Sequence, residues 1–196
     1  MLAKLIALIT DTKSRSLNYR ESMAYIKKET GSTKNACATV ASGYLIKAGV
    51  LTKRHTDTIG LSKALEAVKG AVRITNSSTL LPGDILFAQD DNHNKKPDHA
   101  YTFIMYPTPS DKSIALVTDN MKLDASPYKR NLKSGSYTPF WYALRLPSDA
   151  PLKAPIVDAA PATPSVRDPI APLNTVKANK LNFSGSKFVV PDSPSP

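Results

Sequence analysis

The stretch Leu81-Pro82-Gly83-Asp84-Ile85-Leu86-Phe87-Ala88 marks the point where the chain changes from one kind of structure to another. Pro82-Gly83 is a turn signal, and the apolar run behind Asp84 is a short strand. Upstream of it the apolar residues keep a helical period. Leu2, Leu5, Ile6 and Ile9 share one face of a first helix within Met1–Thr10. Asn18, with Glu21 three residues on, reads as a capping box opening a helix that runs to Lys28 and ends at Gly31. Asn35 to Ala48 is the next helix, with Val40, Tyr44 and Ala48 along one stripe and Gly49 closing it. Leu61 to Lys69 follows, stopped by Gly70. Downstream, Ala71–Thr75, Asp84–Ala88, Ala100–Tyr106, Ile114–Thr118 and Phe140–Leu146 are β-branched or aromatic runs separated by turn residues. Helices first and closely spaced strands after predict an α+β fold, with the N-terminal helices packed on an antiparallel sheet.

The chain has 196 residues, 41% of them hydrophobic and 21% charged, which excludes wholesale disorder. Of its 16 prolines, ten lie between Pro147 and Pro196, so a domain boundary is expected at about 147. That gives a folded domain at 1–146 and an extended proline-rich tail at 147–196, because recurrent proline sustains neither helix nor central strand. Within the tail, Leu181, Phe183, Phe188, Val189 and Val190 interrupt the proline pattern. Exposing such side chains is unfavourable by roughly 1.5–3 kcal/mol each, so segment 181–190 is expected to dock on a protein partner.

Net charge is +10, and the tail carries only +1 of it. The excess points to a polyanionic partner. No aromatic-plus-basic array of the kind that stacks bases is visible, since Phe140-Trp141-Tyr142 reads as a core strand; no nucleic-acid partner is expected. A single cysteine excludes an intramolecular disulfide and a Cys-rich zinc site, and no apolar run has the length of a membrane span. Met1–Thr10 reads as a packed helix rather than an export signal.

Cys37 stands near the start of the Asn35–Ala48 helix. Unpaired N–H groups at a helix amino terminus stabilise a thiolate, and also the oxyanion formed when it attacks a carbonyl. The alternative is a buried, inert cysteine acting as a small hydrophobe. A thiolate nucleophile needs a base. His55 and His93 lie in polar loop sequence and read as solvated, whereas His99 heads the apolar strand Ala100–Tyr106. The next strand, Ile114–Thr118, ends at Asp119-Asn120. If the two strands are antiparallel neighbours, Asp119 can orient the imidazole and stabilise its cation, while Asn120 can do only the first.

In order and context these elements resemble the NlpC and CHAP branch of the papain-like cysteine peptidases and amidases. The resemblance covers residues 17–146 and rests on Cys37-Ala38-Thr39-Val40-Ala41-Ser42, then Leu81-Pro82-Gly83-Asp84-Ile85-Leu86-Phe87, then Asp98-His99-Ala100, then Asp119-Asn120. The chain departs from the family pattern in having Ala100-Tyr101 after the histidine and a long polar insertion, 90–96, before it. The resemblance implies hydrolysis of an amide bond in peptidoglycan stem peptides, with Cys37 as nucleophile, His99 as base and Asp119, or alternatively Asn120, as third residue. No cofactor is called for: no His/Cys/Asp cluster has metal spacing and no Gly-rich phosphate loop is present. The setting expected is a phage tail or baseplate lysin, carried in the virion or held in the host cytoplasm before assembly, and acting in the bacterial cell wall or periplasm. The alternatives are a structural or adaptor subunit of a phage tail or secretion assembly with an inactive hydrolase fold, and a secreted antibacterial amidase.

Overall fold

The computed structural model describes residues 1–89, 96–133 and 139–148. The chain divides into two units, Met1–Ile156 and Val157–Pro196, and the described residues lie in the first. The docking segment expected at 181–190, and His93, fall outside them.

Four helices come first: α1 (Leu2–Thr10), α2 (Thr12–Thr30), α3 (Cys37–Lys47) and α4 (Thr58–Glu66). Six strands follow: β1 (Val72–Ile74), β2 (Ile85–Ala88), β3 (His99–Met105), β4 (Ile114–Thr118), β5 (Tyr128–Asn131) and β6 (Phe140–Arg145). They form one antiparallel sheet in the order β1-β6-β2-β3-β4-β5. The α+β reading therefore holds, and β5 is a strand that the sequence reading lacked. Its sequence, Tyr-Lys-Arg-Asn, has no apolar run, because it is an edge strand with the polar side chains of Lys129 and Asn131 on its exposed positions.

The residues expected on one face of the first helix behave so: Leu2, Leu5 and Ile9 are buried. Helix α2 starts earlier than its sequence suggested. Asp11 caps it by accepting the Ser14 N–H at 2.7 Å, so Asn18 lies inside the helix rather than at its start. There Asn18 is buried and its Nδ2 donates to the Val40 carbonyl of α3 at 2.9 Å. Glu21 is likewise no capping residue; it pairs with Lys47 and Arg54, tying α2 to the end of α3 and the loop beyond. Gly31 does end α2, in the left-handed region at φ 74°.

Helix α3 is the centre of the unit, buried from Cys37 through Leu45. It packs against α1, α2, α4 and the sheet at β3. Strand alternation divides the core into two clusters. Ile85, Phe87, Ala100, Ile104 and Leu144 join the α1, α3 and α4 side chains, while Leu86, Tyr101, Phe103, Val117 and Ala143 build the second cluster. The Pro82-Gly83-Asp84 turn is held from both ends. Gly83 sits at φ 89°, in the region that favours glycine, and Leu2 Cδ1 lies 2.7 Å from where a Cβ would stand. Buried Asp84 accepts a two-pronged bond from Arg145 of β6 at 2.9 and 2.8 Å and a third from the Leu81 N–H at 2.8 Å. Burial keeps this carboxyl above its ordinary range, against the pull of those donors.

Candidate active site

Cys37 is the first residue of α3, and the turn before it is made by Asn35 in the left-handed region at φ 59°. His99 is the first residue of β3, delivered by the approach Lys96-Pro97-Asp98. That approach is pinned to α4, because the Thr58 hydroxyl donates to the Pro97 carbonyl. Asp119 directly follows β4, which pairs with β3 as its antiparallel neighbour. Three separate elements thus bring the three side chains together.

The thiol and the imidazole are side-chain neighbours that shift each other's protonation, while the Cys37 S–H donates to the Asn35 carbonyl at 4.0 Å. On the other side of the ring, His99 Nε2 lies 2.7 Å from Asp119 Oδ2. The Asp119 side chain has no solvent exposure, and that of His99 is 14% exposed. Asn120 does not take the third position; its Oδ1 is buried without a hydrogen-bond partner. His55 also differs from its sequence reading. It is half-buried, its N–H donating to the Ser42 hydroxyl and its carbonyl accepting from Thr39, so its backbone clamps the loop onto α3.

The electrostatics follow from burial and from these contacts. Burial raises the Cys37 thiol, but the His99 hydrogen bond and charge, with the N–H groups of Ala100 and Ala38, outweigh it, leaving the thiol below its ordinary value. For His99, burial works against the cation. The Asp119 hydrogen bond and the Cys37 contact prevail and push the imidazole up to about 9. Both shifts favour a thiolate beside an imidazolium near neutral pH.

Cys37 forms part of the wall of an open cleft of about 270 Å³, shared with Asn35, Asp57, Lys96 and Asp98. Among the described residues, two carboxylates and one amine line this cleft, which is not a concentration of basic side chains. Among the described residues, no three His, Cys, Asp or Glu side chains cluster as a metal ion would require, and no helix is long and apolar enough to cross a membrane.

Residues beyond those named from sequence complete the arrangement. Tyr128 of β5 donates its hydroxyl to Asp119 Oδ2 at 2.6 Å, and Arg130 Nη1 donates to the Tyr128 oxygen at 3.2 Å. The Arg130 guanidinium lies over the Tyr101 ring at 4.4 Å, and Tyr101 stacks on His99 at 5.7 Å. No signal in the sequence marks them, because Tyr128 and Arg130 sit in a polar run, Tyr-Lys-Arg-Asn, without an apolar strand pattern. Comparison of the chain with family models, curated proteins and solved structures gave no match.

Proposed function

We propose that the chain is a peptidoglycan hydrolase that cleaves an amide bond of the stem peptide by a thiol mechanism. The observation that carries this reading is the series Cys37, His99 and Asp119, with the imidazole held by the carboxylate at 2.7 Å and set beside the thiol, next to an open cleft. In the first half-reaction the Cys37 thiolate attacks the amide carbonyl carbon. The carbon–nitrogen bond breaks, the leaving amine takes the His99 proton, and a thioester forms. In the second, His99 removes a proton from water, the resulting hydroxide attacks the thioester, and the acid and the thiol are released. Asp119 holds the imidazole turned and offsets its charge throughout. The negative charge on the carbonyl oxygen develops beside the first turn of α3, where the partial positive charge of a helix amino terminus stabilises it.

Peptidoglycan is the substrate class that the family resemblance implies, and the +10 chain suits an anionic wall polymer. An association with a phage tail or baseplate fits the apolar segment 181–190, which calls for a docking partner. The reading is tested by incubating the purified protein with bacterial sacculi. Lysis is expected, with loss on thiol alkylation or in Cys37→Ala and no change on adding a chelator. Lysis that survives Cys37→Ala would refute the mechanism.

A further inference from the structure

We propose that Tyr128, backed by Arg130, is a positioning residue that acts through Asp119: it occupies part of the carboxylate oxygen that faces His99 and so limits how tightly the imidazolium proton is held. The inference rests on the reading of Cys37, His99 and Asp119 as the reacting set, and names what regulates it.

Asp119 Oδ2 takes two donors at once, His99 Nε2 at 2.7 Å and the Tyr128 hydroxyl at 2.6 Å. Oδ1 is already engaged by the Met121 N–H at 2.7 Å. The side chain has no solvent exposure, so its negative charge is divided among these three groups rather than among waters. Arg130 Nη1 donates to the Tyr128 oxygen, which polarises the hydroxyl and strengthens its donation to the carboxylate. Packing alone would require only the ring of Tyr128. The hydroxyl is explained by what it touches.

The charged and titratable groups around the site come from three elements and the cleft rim. Helix α3 supplies Cys37 and Tyr44; β3 supplies Tyr101, beside His99 itself; β5 supplies Tyr128 and Arg130; Asp57, Lys96 and Asp98 line the cleft that Cys37 opens onto. Of these, only Tyr128 and His99 share an Asp119 oxygen. Removing the tyrosine hydroxyl leaves His99 as the sole donor to Oδ2. The carboxylate then draws harder on the imidazolium, which keeps its proton to higher pH. An imidazolium that deprotonates too late is a poor base for the water of the second half-reaction. The shared oxygen thus holds His99 between the two proton states that the chemistry needs.

The test is the pH dependence of Cys37 alkylation by iodoacetamide in the full chain, followed by mass spectrometry. The wild-type thiol should react well below the ordinary thiol range, with a second rate step where the imidazolium loses its proton. In Tyr128→Phe that second step should move to higher pH by about one unit, an approximately tenfold change in the dissociation constant. Arg130→Gln should move it in the same direction, and serves as the second variant if Tyr128→Phe folds poorly. An unmoved step in the folded variants overturns the inference, as does a move to lower pH, which would mean that Tyr128 strengthens the hold on His99. A wild-type profile with one ordinary thiol step would refute the Cys37–His99 pair itself. That failure is distinguishable from an unmoved variant.

Discussion

At Cys37 two opposing effects meet in one side chain. Burial disfavours the thiolate, while His99 and the N–H groups of Ala38 and Ala100 favour it and prevail. Replacing Cys37 by Ala should abolish amide cleavage by on the order of 10³-fold or more, measured as release of new amines from sacculi. Asp119→Asn, which keeps shape but removes charge, should lower the rate by roughly 10²–10⁴-fold without loss of fold. The same residues predict a pH signature in stability. His99 is raised to about 9 from 6.5, so its contribution is fully present below pH 6.5 and is lost as pH rises through about 9. In the wild type the lowered Cys37 thiol has the opposite sign, and the two offset each other over that range. Cys37→Ala should therefore become less stable relative to wild type between pH 6.5 and 9, read as a falling urea midpoint; parallel curves would contradict the pairing. Cys37, His99 and Asp119 were legible because their residue types and order are restrictive. Tyr128 and Arg130 were not, since a tyrosine and an arginine on a polar edge strand look like ordinary surface until the sheet places them behind Asp119.

At the scale of elements, α3 is held from the α2 side by polar contacts as well as by apolar ones. Gly43 marks the tightest approach: a Cβ there would stand 2.2 Å from both Arg54 Nη1 and Asn18 Oδ1. Gly43→Ala should destabilise the domain by about 1–3 kcal/mol, measured by denaturant unfolding, because both neighbours are committed to other partners. Asp84→Asn should cost a similar amount, about 1–3 kcal/mol, since an amide cannot accept from both Arg145 nitrogens and the Leu81 N–H. The Pro82-Gly83-Asp84 turn is thus a brace between β2 and β6, not a part of the chemistry. Helix and strand identities followed from period and turn residues. The capping box at Asn18 did not, because a buried polar side chain bonding across to Val40 has the same local sequence as a cap. Hydrogen bonds between elements leave no mark in spacing along one of them.

For the molecule as a whole, charge and site are separate features. The chain carries +10, yet Asp57 and Asp98 stand with Lys96 around the thiol cleft. If the excess acts at long range, raising salt from about 0.05 to 0.5 M should weaken binding to sacculi while sparing alkylation of Cys37, since only exposed charges are strongly screened. The proline-rich tail is expected to act separately from the chemistry. Deleting 174–196 should spare hydrolysis in solution and abolish incorporation into the larger assembly, as scored by co-purification with assembled particles; a truncated protein that unfolds or gains activity would refute the docking assignment. The most direct measurement of the whole is the mass analysis of purified sacculi after incubation with the full chain and with Cys37→Ala. The expected result is stem-peptide fragments bearing a new amine and a new carboxylate, formed by the wild type, unaffected by a chelator and absent with Cys37→Ala. No such fragments from the wild type, or the same fragments from both proteins, would contradict a thiol hydrolase built on Cys37, His99 and Asp119.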